Sequence, residues 1–148
     1  MFHFAAHGRV FLLVHGTDAP SDAAWERYVE ALMRADRKDG ALKILVFTEG
    51  GSPNAGQRAR LETTTRKGDL TAVVSGAAFP RFVVSLIALM NRGIRSFAPA
   101  DVAGALDFLG LSQEERAAVA VELETLARSG SLGSLRVLDA VSAAGALR

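Results

Sequence analysis

The sequence contains no cysteine. That excludes a disulfide framework, a thiolate metal centre and a cysteine nucleophile, and it fits a reducing compartment. Long apolar runs are missing too. The apolar run at residues 10–14 is far shorter than a secretory core, and no stretch approaches the roughly 18 uninterrupted apolar residues of a spanning helix. We therefore expect a cytoplasmic protein without a transmembrane segment. Charge of one sign is scarce as well: the net charge is +1, which argues against a strongly acidic or basic partner, nucleic acid included. What remains is 49% hydrophobic and 22% charged over 148 residues, enough for one globular domain with a sizeable core.

Catalytic signatures are equally sparse. No Gly-Lys-Ser/Thr follows the glycine pair Gly50-Gly51, so there is no Walker A loop, and no G-x-G-x-x-G occurs. No H-E-x-x-H is present to organise His3, His7 and His15 around a metal, and we expect neither a metal nor a cofactor. A Ser-His-Asp set can be drawn from Ser75, His15 and Asp18, and Glu49 lies near a strand end. Yet the residues around Ser75 lack the Gly-x-Ser-x-Gly of a nucleophile elbow. The run at Val46-Phe47-Thr48 ends without the acidic cluster by which a receiver domain holds its cation.

The local patterns are more informative. Residues 9–16 read as a strand, and Phe2 and Phe4 alternate before it, so a first strand joins a second through a turn at His7-Gly8. Ser21 or Asp22 can cap a helix whose buried stripe takes Trp25, Tyr28 or Val29, Leu32 and Met33, ended by Gly40 after Arg37 and Lys38. Residues 41–51 form a nearly continuous apolar run, the pattern of a strand buried on both faces. Next come a polar helix with Leu61 as its sole large apolar residue, ended by Gly68, and a short strand over residues 69–76. A helix starting near Pro80 and stopping at Gly93 leads into a short strand closed by Pro99. Asp101 caps a further helix, and Ser112 with Glu115 makes a capping box before a stripe of Val119, Leu123 and Leu126. A weaker final helix carries Leu135, Leu138 and Val141, after a possible hinge at Gly130–Gly133. Strands alternating with helices imply parallel pairing with crossovers, an α/β fold.

Two regions of this plan resemble the STAS domain, in particular its small bacterial, anti-sigma-factor-antagonist-like members. Residues 11–34 look like that domain's second strand and first helix, with a Trp entering the helix. Residues 69–110 look like a later strand and helix, an edge strand, and a helix of the A-x-x-F-L type. The likeness covers residues 2–111. It implies a mixed four- to five-stranded sheet with helical crossovers in a domain spanning residues 1–111. Residues 112–148 would be a C-terminal helical extension packed on it, without counterpart in the minimal domain. It also implies a non-enzymatic regulatory or scaffolding module that acts by protein–protein contact. Antagonist members carry a phosphorylated Ser or Thr in the loop before the second helix. Here that loop reads Gly50-Gly51-Ser52-Pro53 rather than Asp-Ser-Ser/Thr-Gly, with Ser52 the nearest switch candidate and Thr48 the next.

Three further surfaces stand as expectations. Strand-end loops at Thr17, Gly50, Gly51, Ser75 and Gly76 would meet at the carboxyl edge of a parallel sheet, the usual ligand side, and could hold a nucleotide, anion or lipid. The simpler reading of the glycine pair is a turn needing positive φ and a helix start near Pro53 or Asn54, since Pro53 removes an N–H from any phosphate cradle. Phe79, Phe82, Val83, Leu86, Ile87 and Met90 cover more than one face of their helix. They are either sandwiched between the sheet and the C-terminal helices or exposed to a protein partner or a second copy. Finally, residues 55–97 carry seven basic and two acidic side chains, which we read as solvated faces neutralised across the fold.

Overall fold

A computed structural model of the chain describes residues 1–76 and 93–129. Five strands form one mixed sheet in the order β1-β2-β3-β4-β5. Strands β1 (Phe2–His7) and β2 (Val10–His15) are antiparallel, joined by a turn in which Gly8 takes a φ of 59°. Strands β3 (Lys43–Thr48), β4 (Leu70–Ser75) and β5 (Ile94–Phe97) add in parallel. The apolar runs at β2, β3 and β4 explain why these become the central strands. Each is covered on both faces, and β2 is buried along its whole length. The α/β class with a mixed sheet and a C-terminal helix is thus the observed architecture.

Four α-helices cover this sheet among the described residues: α1 (Asp22–Arg34), α2 (Ala55–Glu62), α3 (Val102–Leu109) and α4 (Gln113–Arg128). Strands laid down in one direction put crossover helices of one hand on a common face. Accordingly α1 and α2 lie on the same side, where Phe11, Leu13 and Ile44 pack against Trp25, Tyr28, Val29 and Leu32. The opposite face presents Val10, Leu12, Val14, Leu45, Phe47 and Val74 to α3 and α4. Val119 and Leu123 of α4 are buried in that same core, so the C-terminal helix closes the sheet rather than standing apart from it. None of the helices among the described residues is long and apolar enough to cross a membrane.

Several local expectations need correction. Helix α1 stops at Arg34, not at Gly40: Ala35 is already extended, and Met33 is 55% exposed rather than part of the stripe. The reason is Arg37, which is drawn away from the helix to Asp69. Ser21 is the N-cap of α1, its hydroxyl accepting the Ala24 N–H, while both Tyr28 and Val29 are buried. Helix α2 ends at Glu62, well before Gly68. Only half of the Ser112 capping box forms. The Ser112 hydroxyl accepts the Glu115 N–H, but the Glu115 carboxylate turns to Lys43 Nζ at 3.4 Å and Arg9 at 3.7 Å. The helix expected from Pro80, with its apolar residues Phe79, Phe82, Val83, Leu86, Ile87 and Met90, lies outside the described residues, as do the final helix and the Gly130–Gly133 hinge.

Candidate functional site

The parallel register aligns His15, Thr48 and Ser75 in one row at the carboxyl ends of β2, β3 and β4. All three point to the face covered by α1 and α2, because β-strand side chains alternate and Val14, Phe47 and Val74 belong to the other face. This geometry separates the residues of the paper triad. His15 and Ser75 are two strands apart, about 10 Å at the usual strand spacing, with Thr48 between them. Asp18 is exposed in the loop after β2. The three histidines also diverge. Antiparallel pairing puts Phe2 and Phe4 on the α1 side and His3 and His7 on the opposite one, away from His15. No group of three His, Asp or Glu side chains among the described residues could hold a metal ion.

The glycine pair is occupied by the protein itself. The Gly50 N–H donates to Thr48 Oγ1 at 3.1 Å, and that hydroxyl donates to the Gly51 carbonyl at 2.7 Å. The Gly51 N–H donates to the Gly16 carbonyl at 2.9 Å. Neither amide is left to cradle an anion. Gly50 takes a φ of 121°, as the turn reading expected. Gly51 is there for close approach: a Cβ on it would stand 2.4 Å from the Asp18 carbonyl oxygen and 2.6 Å from that of Gly16. Thr48 is buried with its hydroxyl doubly engaged, which closes it to a kinase. Ser52 is half-buried, Ser75 is fully buried, and Thr17 and Gly76 are exposed.

Just below this loop the sheet face opens into a cleft of about 170 Å³. Its apolar lining comes from Leu13, Ile44, Val46, Val73 and Ile94 on the strands and from Trp25, Tyr28 and Leu61 on α1 and α2. Thr48, Gly51, Ser52 and Pro53 contribute the rim that connects it to the strand-end loop. The strand-end loops were one expected ligand site; an open volume lies on the sheet face beside the loop after β3. Half-buried Val46 on β3 marks that opening.

Polar clamps hold the walls. Asn54 caps α2 by accepting the Gln57 N–H at 2.9 Å, while Gln57 Oε1 accepts the Asn54 N–H at 3.0 Å. The Gln57 side-chain amide then donates to the Pro20 carbonyl and to Asp22 Oδ1, and the Gln57 main-chain carbonyl accepts the Trp25 indole N–H at 2.9 Å. The start of α2 is thereby pinned to the start of α1. Further along, Arg60 Nη2 reaches Glu26 at 2.7 Å. At another part of the lining, buried Asp69 accepts Arg37 Nη2 at 3.0 Å, the Leu42 N–H at 2.9 Å and the Arg66 N–H at 3.1 Å. Burial alone would raise the Asp69 carboxyl; the Arg37 guanidinium and the two backbone donors outweigh it and hold the carboxyl below its usual range. Gln57 and Asp69 were missed in the sequence. The Asn54-x-x-Gln57 spacing could have revealed the first. Asp69 follows a glycine at a strand start and offers no comparable signal.

Two residues of the lining remain without a counterpart. Arg58 donates Nη1 to the Pro53 carbonyl at 2.8 Å and has no carboxylate partner among the described residues. His15 is 3% exposed, wedged between Phe2 at 4.8 Å and Trp25 at 6.3 Å between ring centroids. Its Nδ1 has no hydrogen-bond partner among the described residues. Burial, with the amino terminus adding repulsion, pushes the imidazole down to about 4, so it is neutral at pH 7. No protein-family model matches the chain, and no curated protein or solved structure is detectably similar to it.

Proposed function

We propose that this chain is a non-enzymatic binding module whose cleft between the sheet and helices α1 and α2 takes a small ligand. One observation carries the reading: a mostly apolar volume of about 170 Å³ stands open on the face of the parallel strands, and its lining holds Arg58, which meets no carboxylate among the described residues, and His15, whose Nδ1 has no hydrogen-bond partner among them. Apolar pockets with a few convergent polar groups are the usual small-ligand sites of proteins. The cavity is close in size to one that accepts a benzene-sized molecule. A thermal-shift screen with small apolar compounds tests the reading. A ligand present at one hundred times its dissociation constant stabilises by about 2.7 kcal/mol, a clear rise in Tm. No rise with any apolar compound at millimolar concentration removes it.

A STAS-like regulatory role, acting by protein contact in the cytoplasm, is the second reading. The consecutive strand order and the opening antiparallel pair support it, as does half-buried Ser52 beside the cleft rim. The contact residues expected for it, Phe82 and Ile87 among them, are tested by capture of a partner or by self-association. Charged substitutions there should abolish either one while the domain stays folded. Loss of folding instead assigns these residues to the core.

A further inference from the structure

Among the described residues, the mostly apolar cleft carries one arginine, Arg58, that meets no carboxylate. Asp69 is its only carboxylate among the described residues, and it is already consumed by Arg37 and two backbone amides. His15 lines the same cleft, is buried to more than nine tenths, and keeps an unpartnered Nδ1. Arg58 is half-buried, tethered at Nη1 to the Pro53 carbonyl, and its remaining donors have no carboxylate among the described residues. The tether fixes the guanidinium near the loop that ends β3, so it needs little further ordering to hold an anion. A guanidinium matches a carboxylate in two parallel hydrogen bonds. The volume limits the rest of the ligand to a single ring or a short alkyl chain.

We infer that the cleft binds a small monocarboxylic acid with an aryl or short alkyl body, its carboxylate paired with Arg58 and its body laid on Ile44, Val46 and Val73. The inference rests on the binding-module reading above and adds the chemical class of the ligand. Nucleotides are disfavoured by the same features. Their phosphates would need the loop amides of Gly50 and Gly51, which are already bonded within the protein.

The test compares octanoate with octan-1-ol by calorimetric titration at pH 7.5. It uses the intact chain and its Arg58→Gln, Arg58→Lys and Val73→Trp variants. Octanoate should bind about tenfold or more tightly than octanol, an advantage of the size a charge-assisted pair supplies. Arg58→Gln should erase that advantage without changing octanol binding, and Arg58→Lys should restore part of it. Val73→Trp should block both probes. Equal binding of octanoate and octanol, unchanged in Arg58→Gln, overturns the carboxylate assignment but leaves a ligand cleft. Failure of both probes to bind overturns the cleft itself. Should Arg58→Gln lose the cooperative unfolding of the parent chain, Arg58→Lys carries the comparison: octanoate bound no better than octanol by this folded variant also overturns the assignment.

Discussion

The two faces of the sheet are built differently. Toward α3 and α4, Val14, Leu45, Phe47, Val74, Val102 and Ala105 are all fully buried, and a cavity of about 400 Å³ lies farther out, between β1, β2 and α4. Toward α1 and α2, the rings of Phe2, Trp25 and Tyr28 meet tilted or edge-on over β1 and β2, at 5.3–6.0 Å between centroids. Over β3 to β5 the described residues line a cleft whose walls are held by hydrogen bonds and ion pairs. One face is a core in the ordinary sense. The other is a wall of apolar residues kept apart by polar clamps, an arrangement that preserves a space instead of filling it. The stability of the first should depend on volume, and that of the second on its clamps.

The largest effect should come from the clamps. Arg37→Ala leaves Asp69 buried without its counter-ion and removes donors from the Thr64 and Leu32 carbonyls. It should cost about 3–5 kcal/mol in urea unfolding. The sign in pH follows from the lowered Asp69 carboxyl. The Arg37 contribution is complete above the ordinary carboxylate range and fades as pH falls through the lowered value. An Arg37→Ala protein as stable as its parent would mean that this side of the cleft is held by packing after all.

A matched pair of truncations breaks the comparison most cleanly. Leu106→Ala opens a cavity in the sealed face and should cost about 2–5 kcal/mol, since Leu106 is 1% exposed. Ile94→Ala, on a half-buried cleft wall, should cost at least about 1 kcal/mol less. Equal losses would show that both faces are cores.

The next effect is in pH. His15 is neutral when folded, with its pKa down at about 4, against about 6.5 when unfolded. The unfolded chain therefore binds the proton first, and stability falls as pH drops from 6.5 toward 4. The loss should reach about 3 kcal/mol, measured as the change in urea midpoint between pH 7.5 and 4. His15→Phe should flatten this part of the profile. The smallest effect is at a helix start remote from the cleft: Ser112→Ala should cost about 1 kcal/mol and leave ligand binding unchanged.

Much of the fold was visible in the sequence, for physical reasons. Strand runs such as residues 43–48 are apolar on both sides because both faces are covered, and the period-2 alternation assigns each residue to its face. Caps at Ser21, Asp101 and Ser112 were legible because their side chains act on residues three positions away. The clamps were not. Arg37 and Asp69 are 32 residues apart, as are Trp25 and Gln57, so nothing local marks either pair. The same distance effect ended α1 early: Arg37 reads as a helix C-terminal cation until its partner in the turn before β4 is known. The loop glycines raised the question of a ligand because glycines signal backbone access, although a turn was the simpler reading. In three dimensions those amides bond to neighbouring loops, and the open volume lies on the sheet face beside them.

The central claim is that the α1–α2 side of the sheet keeps a binding space over β3 to β5, while α3 closes the other face of the same strands. Backbone and indole amide shifts of the intact chain, followed during titration with octanoate, test it directly. We expect saturable shifts at the Trp25 indole N–H and at the Val46, Arg58 and Val73 amides, with Leu106 and Leu109 unmoved. Absence of shifts, or shifts spread equally over α3, would contradict it.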